Sequence, residues 1–155
     1  MKKLRSAVLG LLALSSVGCH AFDMKTAPGF LELKNGSGSY VYRATTPEGV
    51  VVAARVESVE GEGSDSLAFW TRAFTLQLHD RDGYALTDTR DVKSLDGEPG
   101  KQLRFGHDES GKPYVYWVTF WARDHRVSIV EAGGAKTSFE AAQPSIEWMI
   151  ASVHP

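Results

Sequence analysis

Cysteine occurs once in the 155 residues, at Cys19, which excludes an intrachain disulfide and a thiolate zinc cluster. Stability must therefore come from a buried core, and the length is that of one ordinary domain. Long apolar runs are absent too: Ala7 to Leu14, eight residues, falls far short of the roughly 20 that a helix needs to cross a bilayer. Basic patches are missing. Beyond the first few residues no three Lys or Arg stand together, so neither a phosphate backbone nor an anionic lipid surface finds its footprint. There is no Gly-x-Ser-x-Gly elbow, no phosphate-cradling glycine loop and no His-Glu-x-x-His run. The five histidines, His20, His79, His107, His125 and His154, never recur at the spacing that puts metal ligands on one helix face. No cofactor is implied.

What is present begins at the N-terminus. Lys2, Lys3 and Arg5, the apolar run, and the small residues Ser16-Val17-Gly18 before Cys19 form an export signal that is processed and does not span. The pattern resembles a bacterial lipoprotein signal. That resemblance implies cleavage after Gly18, diacylation of the Cys19 thiol and acylation of the new amine, three chains where one alone anchors only marginally. Ser16 stands where such signals usually carry leucine, and Ser16-Val17-Gly18 also satisfies ordinary signal peptidase, as Cys19-His20-Ala21 does less well. A secreted or periplasmic soluble product is the alternative. His20 follows the cysteine where a retention signal often places Asp, which favours the outer membrane over the inner. Removing residues 1–18 takes away three basic residues and no acid, leaving 14 basic against 19 acidic, a formal charge of −5. Nucleic acid is thereby disfavoured as a partner.

Residues 19–29 read as a tether ending in Pro28-Gly29, and 30–155 as a single domain. Strands are expected at Phe30 to Lys34, Tyr40 to Thr46 and Val50 to Glu57, with a turn at Asn35-Gly36-Ser37-Gly38 and a hairpin at Thr46-Pro47-Glu48-Gly49. Ser64 or Asp65 is placed to cap a helix over Asp65 to Asp80, whose Leu67, Trp70, Phe74 and Leu78 share one face. Four more strands follow at Tyr84 to Lys93, Lys101 to His107, Pro113 to Arg123 and Arg126 to Glu131, separated by Gly97 to Gly100, Asp108 to Gly111 and Asp124-His125. A last helix carries Phe139, Ile146, Ile150 and Val153 on one side and Trp148 near its flank. Pro144 implies either a start near Gln143 or a short turn before a kink.

The strand Pro113 to Arg123 decides the architecture. Tyr114, Tyr116, Val118 and Phe120 point one way, while Val115, Trp117, Thr119 and Trp121 point the other. A strand apolar on both faces is buried on both, which requires cover above and below the sheet. The expectation is an α+β fold: an α/β/α sandwich whose mainly antiparallel sheet of about six to seven strands is covered by two helices. This order of elements, with Tyr42-Arg43-Ala44, Pro47-Glu48-Gly49, Phe69-Trp70, Gly83-Tyr84, Gly100-Lys101-Gln102-Leu103, Phe105, the Tyr114 to Trp121 strand and Val130-Glu131-Ala132-Gly133-Gly134, resembles the PsbP/Mog/DcrB-like sandwich over roughly Phe30 to Val153. The likeness is to its small bacterial envelope lipoproteins more than to PsbP. It implies a binding or assembly module, by analogy of fold alone.

Chemistry is sparse. His107-Asp108-Glu109 is the best cluster, but it falls where a hairpin turn already calls for polar residues, as does Asp124-His125. Asp80-Arg81-Asp82-Gly83 echoes part of a calcium loop without its later ligands; a helix end with a glycine cap accounts for it. Trp70 and Trp117 fit the core pattern. Trp121 at a strand end, Tyr116 in the central strand and Tyr84 beside a turn are the candidate partner or ligand surface, with Tyr40 and Tyr42 also near turns.

Three readings follow. The first is a non-enzymatic, lipid-anchored module of the bacterial envelope that binds another envelope protein. The second is a small-ligand carrier with a pocket between sheet and helix lined by Tyr116 and Trp121, and the third a hydrolase built on His107, Asp108 and Glu109. Protein recovered from the native membrane fraction is expected to have a mass that starts at Cys19 and includes acyl chains, and Cys19→Ser to lose them. An unmodified soluble chain would point to secretion instead.

Overall fold

The computed structural model describes residues 22–34 and 38–155. The expected signal, Cys19, His20 and positions 35–37 of the Asn35–Gly38 turn lie outside the described residues. Seven strands form one sheet: β1 (Leu31–Glu32), β2 (Tyr40–Thr45), β3 (Val51–Ser58), β4 (Ala85–Lys93), β5 (Pro99–Glu109), β6 (Lys112–Arg123) and β7 (Arg126–Ala135). Their order is β1-β2-β3-β7-β6-β5-β4 and every pairing is antiparallel. Two helices, α1 (Leu67–Asp82) and α2 (Lys136–Ala151), lie on opposite faces, so the expected sandwich is the observed one. Among the described residues no helix is long and apolar enough to cross a membrane.

The hairpins around β6 follow from their turns. Ser110 and Gly111 both take positive φ (54° and 79°), as do Asp124 and His125 (51° and 58°). Two consecutive left-handed residues make the type I′ geometry whose twist matches paired strands. His125 is not a glycine and is held in that conformation from outside. Its backbone N–H donates to Asp65 Oδ1 at 3.0 Å, and its Nδ1 lies 3.0 Å from Ser64 Oγ. Ser64 and Asp65 are therefore occupied, and the α1 cap is Ser66, whose Oγ accepts from Phe69 N–H. At the other end Gly83, at φ 69°, closes α1 with its N–H on the His79 carbonyl.

Several boundaries differ from the sequence expectation, the end of β7 among them, at Ala135 and not Glu131. The turn before β5 is Ser94 to Gly97, closed by Gly97 N–H on Ser94 O at 3.0 Å, and β5 runs on through Glu109. α2 starts at Lys136, two turns before Pro144. Phe139, 1% exposed, ties that early part to the core, and the Glu140 carbonyl that loses its donor belongs to a residue exposed to solvent. The described part of the expected tether, residues 22–29, belongs to the fold. Met24 and Ala27 are buried, Asp23 pairs with His154, and Lys25 N–H donates to Ser152 Oγ at 2.9 Å. The domain therefore extends to Phe22.

The core is split by the sheet. Trp117, Trp121, Val52, Ala54 and Val130 pack with Phe139, Ile146, Met149 and Ile150 of α2 and with Met24 and Ala27. Leu103, Phe105, Val118, Phe120 and Ile129 pack with Phe74 and Leu78 of α1. Gly100 makes room for the Trp121 indole: a Cβ there would sit 2.6 Å from the ring and from the Phe120 carbonyl. Gly100→Ala is expected to cost about 1–3 kcal/mol in urea unfolding. Gly106→Ala, whose Cβ would meet only a Thr87 methyl at 3.7 Å, should stay within about 1 kcal/mol.

Candidate functional site

α1 rests on β4, β5 and β6, at one end of its face of the sheet. Beside it the other strands of that face are left without a helix, and alternation decides what they show. β3 presents Val51, Ala53 and Arg55; β7 presents Glu131 and Gly133; β6 presents Tyr114 and Tyr116, as their cross-strand register requires. Tyr40 of β2 sits opposite Arg55, and Tyr84 closes the α1 side, its ring 5.4 Å from that of Tyr116. Apart from Arg55, these line a groove of about 310 Å³. Ala53 is buried yet belongs to neither core cluster. Gly133 allows the Tyr116 ring to lie down: a Cβ there would come within 2.9 Å of it.

The polar centre is Glu131, whose side chain is only 15% exposed. Its Oε1 accepts from Tyr116 OH at 2.9 Å and its Oε2 from Tyr40 OH at 3.4 Å. Arg55 Nη2 lies 3.5 Å from the same carboxylate, and Arg55 Nη1 pairs with Glu57 at 3.0 Å. Arg55 Nε is buried and has no acceptor among the described residues. Burial pushes the Tyr116 phenol well above its ordinary value, with the Glu131 charge adding to it. Tyr40 is raised too, first by the Glu131 charge and then by burial. The Arg43 guanidinium stands 5.7 Å above the Tyr40 ring. Aromatic walls around one paired acid suit an amphipathic ligand.

The sequence candidates divide. Tyr116 and Tyr84 meet in this groove. Trp121 does not: it is 2% exposed, on the opposite face beneath α2, with Nε1 buried and unpartnered among the described residues. A pocket lined by both Tyr116 and Trp121 is thus excluded, because neighbours at odd spacing in one strand cannot share a face. Tyr42 is buried on the α2 side. His107, Asp108 and Glu109 lie inside β5, not in a turn. His107 stacks on Tyr84 at 4.8 Å while Asp108 accepts from Gly111 N–H at 2.8 Å, and alternation directs these two neighbours to opposite faces. Among the described residues no three His, Cys, Asp or Glu converge on a metal site. Sequence reasoning missed Glu131, Arg55 and Tyr114 as site residues. The available signal was an acid interrupting the apolar face Val127, Ile129, Glu131, Gly133.

No protein-family model and no curated protein matches the chain. Solved structures do. LpqN, involved in cell envelope biogenesis of Mycobacterium tuberculosis, is similar with a TM-score of 0.63 at 11% identity, over 86% of this chain and 83% of that one. The cyanobacterial PsbP, CyanoP, of Synechocystis sp. PCC 6803 gives 0.54 at 10% identity over 92% and 96%. A protein of unknown function from Pseudomonas aeruginosa, PA94, gives 0.51 at 13% over 91% and 87%. The shared property is the fold, and this chain has the PsbP-like α+β sandwich.

The raised Tyr116 phenol makes an alkaline prediction. The unfolded chain releases that proton near 10.0 while the folded chain retains it. The stabilisation is therefore complete below about pH 10 and is lost as pH rises beyond it. Urea unfolding should show stability falling as pH rises from about pH 10 to about pH 11, and Tyr116→Phe should flatten that fall. In Glu131→Gln the phenolate absorbance of Tyr40 should rise at lower pH than in the native protein.

Proposed function

We propose that this protein is an exported, lipid-anchored module of the bacterial cell envelope, held by Cys19 in the outer membrane more readily than the inner. It binds another envelope protein without catalysing a reaction. The observation that carries this reading is the uncovered half of one sheet face, where Tyr40, Tyr84, Tyr114 and Tyr116 line a groove together with Glu131. Rigid aromatic rings with polar tips supply contact area at low entropic cost, and such residues dominate binding surfaces. The N-terminal pattern Ser16-Val17-Gly18-Cys19 supports the anchor. The description of LpqN as involved in envelope biogenesis supports the location by likeness of fold. A small-ligand carrier is the second reading, favoured by a groove volume of about 310 Å³, at the lower end of ligand pockets of roughly 300–1,000 Å³.

A photoreactive phenylalanine at position 114 should capture one reproducible protein partner in intact cells, and the same probe at the α2 surface position 140 should not. Tyr84→Ala is expected to cut that capture about tenfold or more, as loss of an aromatic anchor does, while the protein stays folded. If position 114 captures nothing reproducible and a small molecule co-purifies instead, the carrier reading replaces this one.

A further inference from the structure

We infer that the α2 side of the domain lies directly on the bilayer through Phe22, Leu95 and Trp148, turning the tyrosine groove away from the membrane. The inference rests on the lipid-anchored reading above. Its first support is chain length. Phe22, the first described residue, packs against the α2-side core and stands three residues after Cys19. Three residues span at most about 11 Å, about the diameter of one helix, so the point where the chain enters the fold is held at the headgroups.

The second support is what surrounds that point. Asp23 and His154 bond through their backbones at 3.1 and 2.9 Å, Leu95 N–H donates to Val153 O at 2.9 Å, and Asp96 accepts from His154 Nδ1 at 2.8 Å. The entry of the chain, its C-terminus and the loop before β5 therefore meet at one place. Leu95 is 53% exposed there, and Trp148, one turn before the end of α2, is 49% exposed. Ile146 and Ile150 of α2 face the sheet, and Trp148, half a turn round from both, faces away from it. The end of α2 meets the entry segment where Lys25 N–H donates to Ser152 Oγ at 2.9 Å, and an exposed indole one turn earlier with a leucine on the adjoining loop suits the membrane interface, where tryptophan concentrates. Two acids of this side are already engaged, Asp96 by His154 and Glu147 by Arg104 at 3.1 Å. The groove lies across the sheet from all of these residues, open to a partner approaching from the aqueous side.

Brominated lipid tests this, because Trp117 and Trp121 are buried, Trp70 packs on the α1 side of the sheet, and Trp148 is the most exposed of the bulky residues of α2. The acylated mature protein is reconstituted in phosphatidylcholine–phosphatidylglycerol vesicles whose phosphatidylcholine carries bromine close to the glycerol or deep in the chains. The protein is expected to float with the vesicles and to lose roughly a quarter of its emission, one tryptophan of four, to the shallow bromine. Trp148→Phe should float equally and lose almost none. Flotation with emission equal in brominated and plain vesicles would overturn the inference while leaving the anchor intact. A protein that neither floats nor carries acyl mass would remove the anchor and this inference with it.

Discussion

A sheet seven strands wide measures about 29 Å across at roughly 4.8 Å per strand, whereas a helix with its side chains is about 10–12 Å thick. One helix cannot cover such a face, and the two faces meet this constraint differently. Under α2 the remaining area is filled by the segment around Met24 and Ala27, which joins the same cluster as Phe139 and Ile146. On the other face α1 stands over β4, β5 and β6, and no segment of the described chain plays the part of Met24. The groove is the area left over, and its tyrosines supply half-buried cover that remains accessible.

Polar groups follow the same asymmetry. On the covered side Arg104 and Gln102 are paired within the fold, while the Trp121 Nε1 is left without a partner among the described residues. Arg104 lies 3.7 Å over the Trp117 ring and bonds to Glu147, and Gln102 donates to Thr119 at 3.1 Å between β5 and β6. Burial lowers the tendency of Arg104 to stay charged, and the bond to Glu147 opposes that. On the groove side Arg55, Glu57, Glu131, Tyr40 and Tyr116 form a network that keeps a face to water. Buried charge without complete pairing is costly, so Glu131 with its two phenols and guanidinium is affordable only because the strand beside it is not roofed over. Fold and site thus have one cause. Proteins with the same sandwich and 10–13% identity need share only the fold.

The sequence by itself determined the layers. Alternation along Tyr114 to Trp121 is a local property of one strand, and it already required apolar cover on both sides. The three- and four-residue spacing of Leu67, Trp70, Phe74 and Leu78 likewise specified α1 and its buried face, and the Asp124-His125 pair located the turn between β6 and β7. Those features were legible because strand and helix periods act over a few residues. Alternation also held the means to separate His107 from Asp108 and Tyr116 from Trp121; assigning the first pair to a turn, and treating Trp121 at a strand end as exposed, concealed it. Tertiary structure decided the rest. Gly100 opens the space that buries Trp121; Phe139, buried in the core, carries α2 through Pro144; and Met24 and Ala27 make core out of a segment that reads as a tether. Whether Tyr84, Tyr40 and Glu131 meet depends on β2, β7 and the end of α1 arriving at one place from distant parts of the chain. No local period encodes that, because it is set by which strands are neighbours and how far one helix reaches across them.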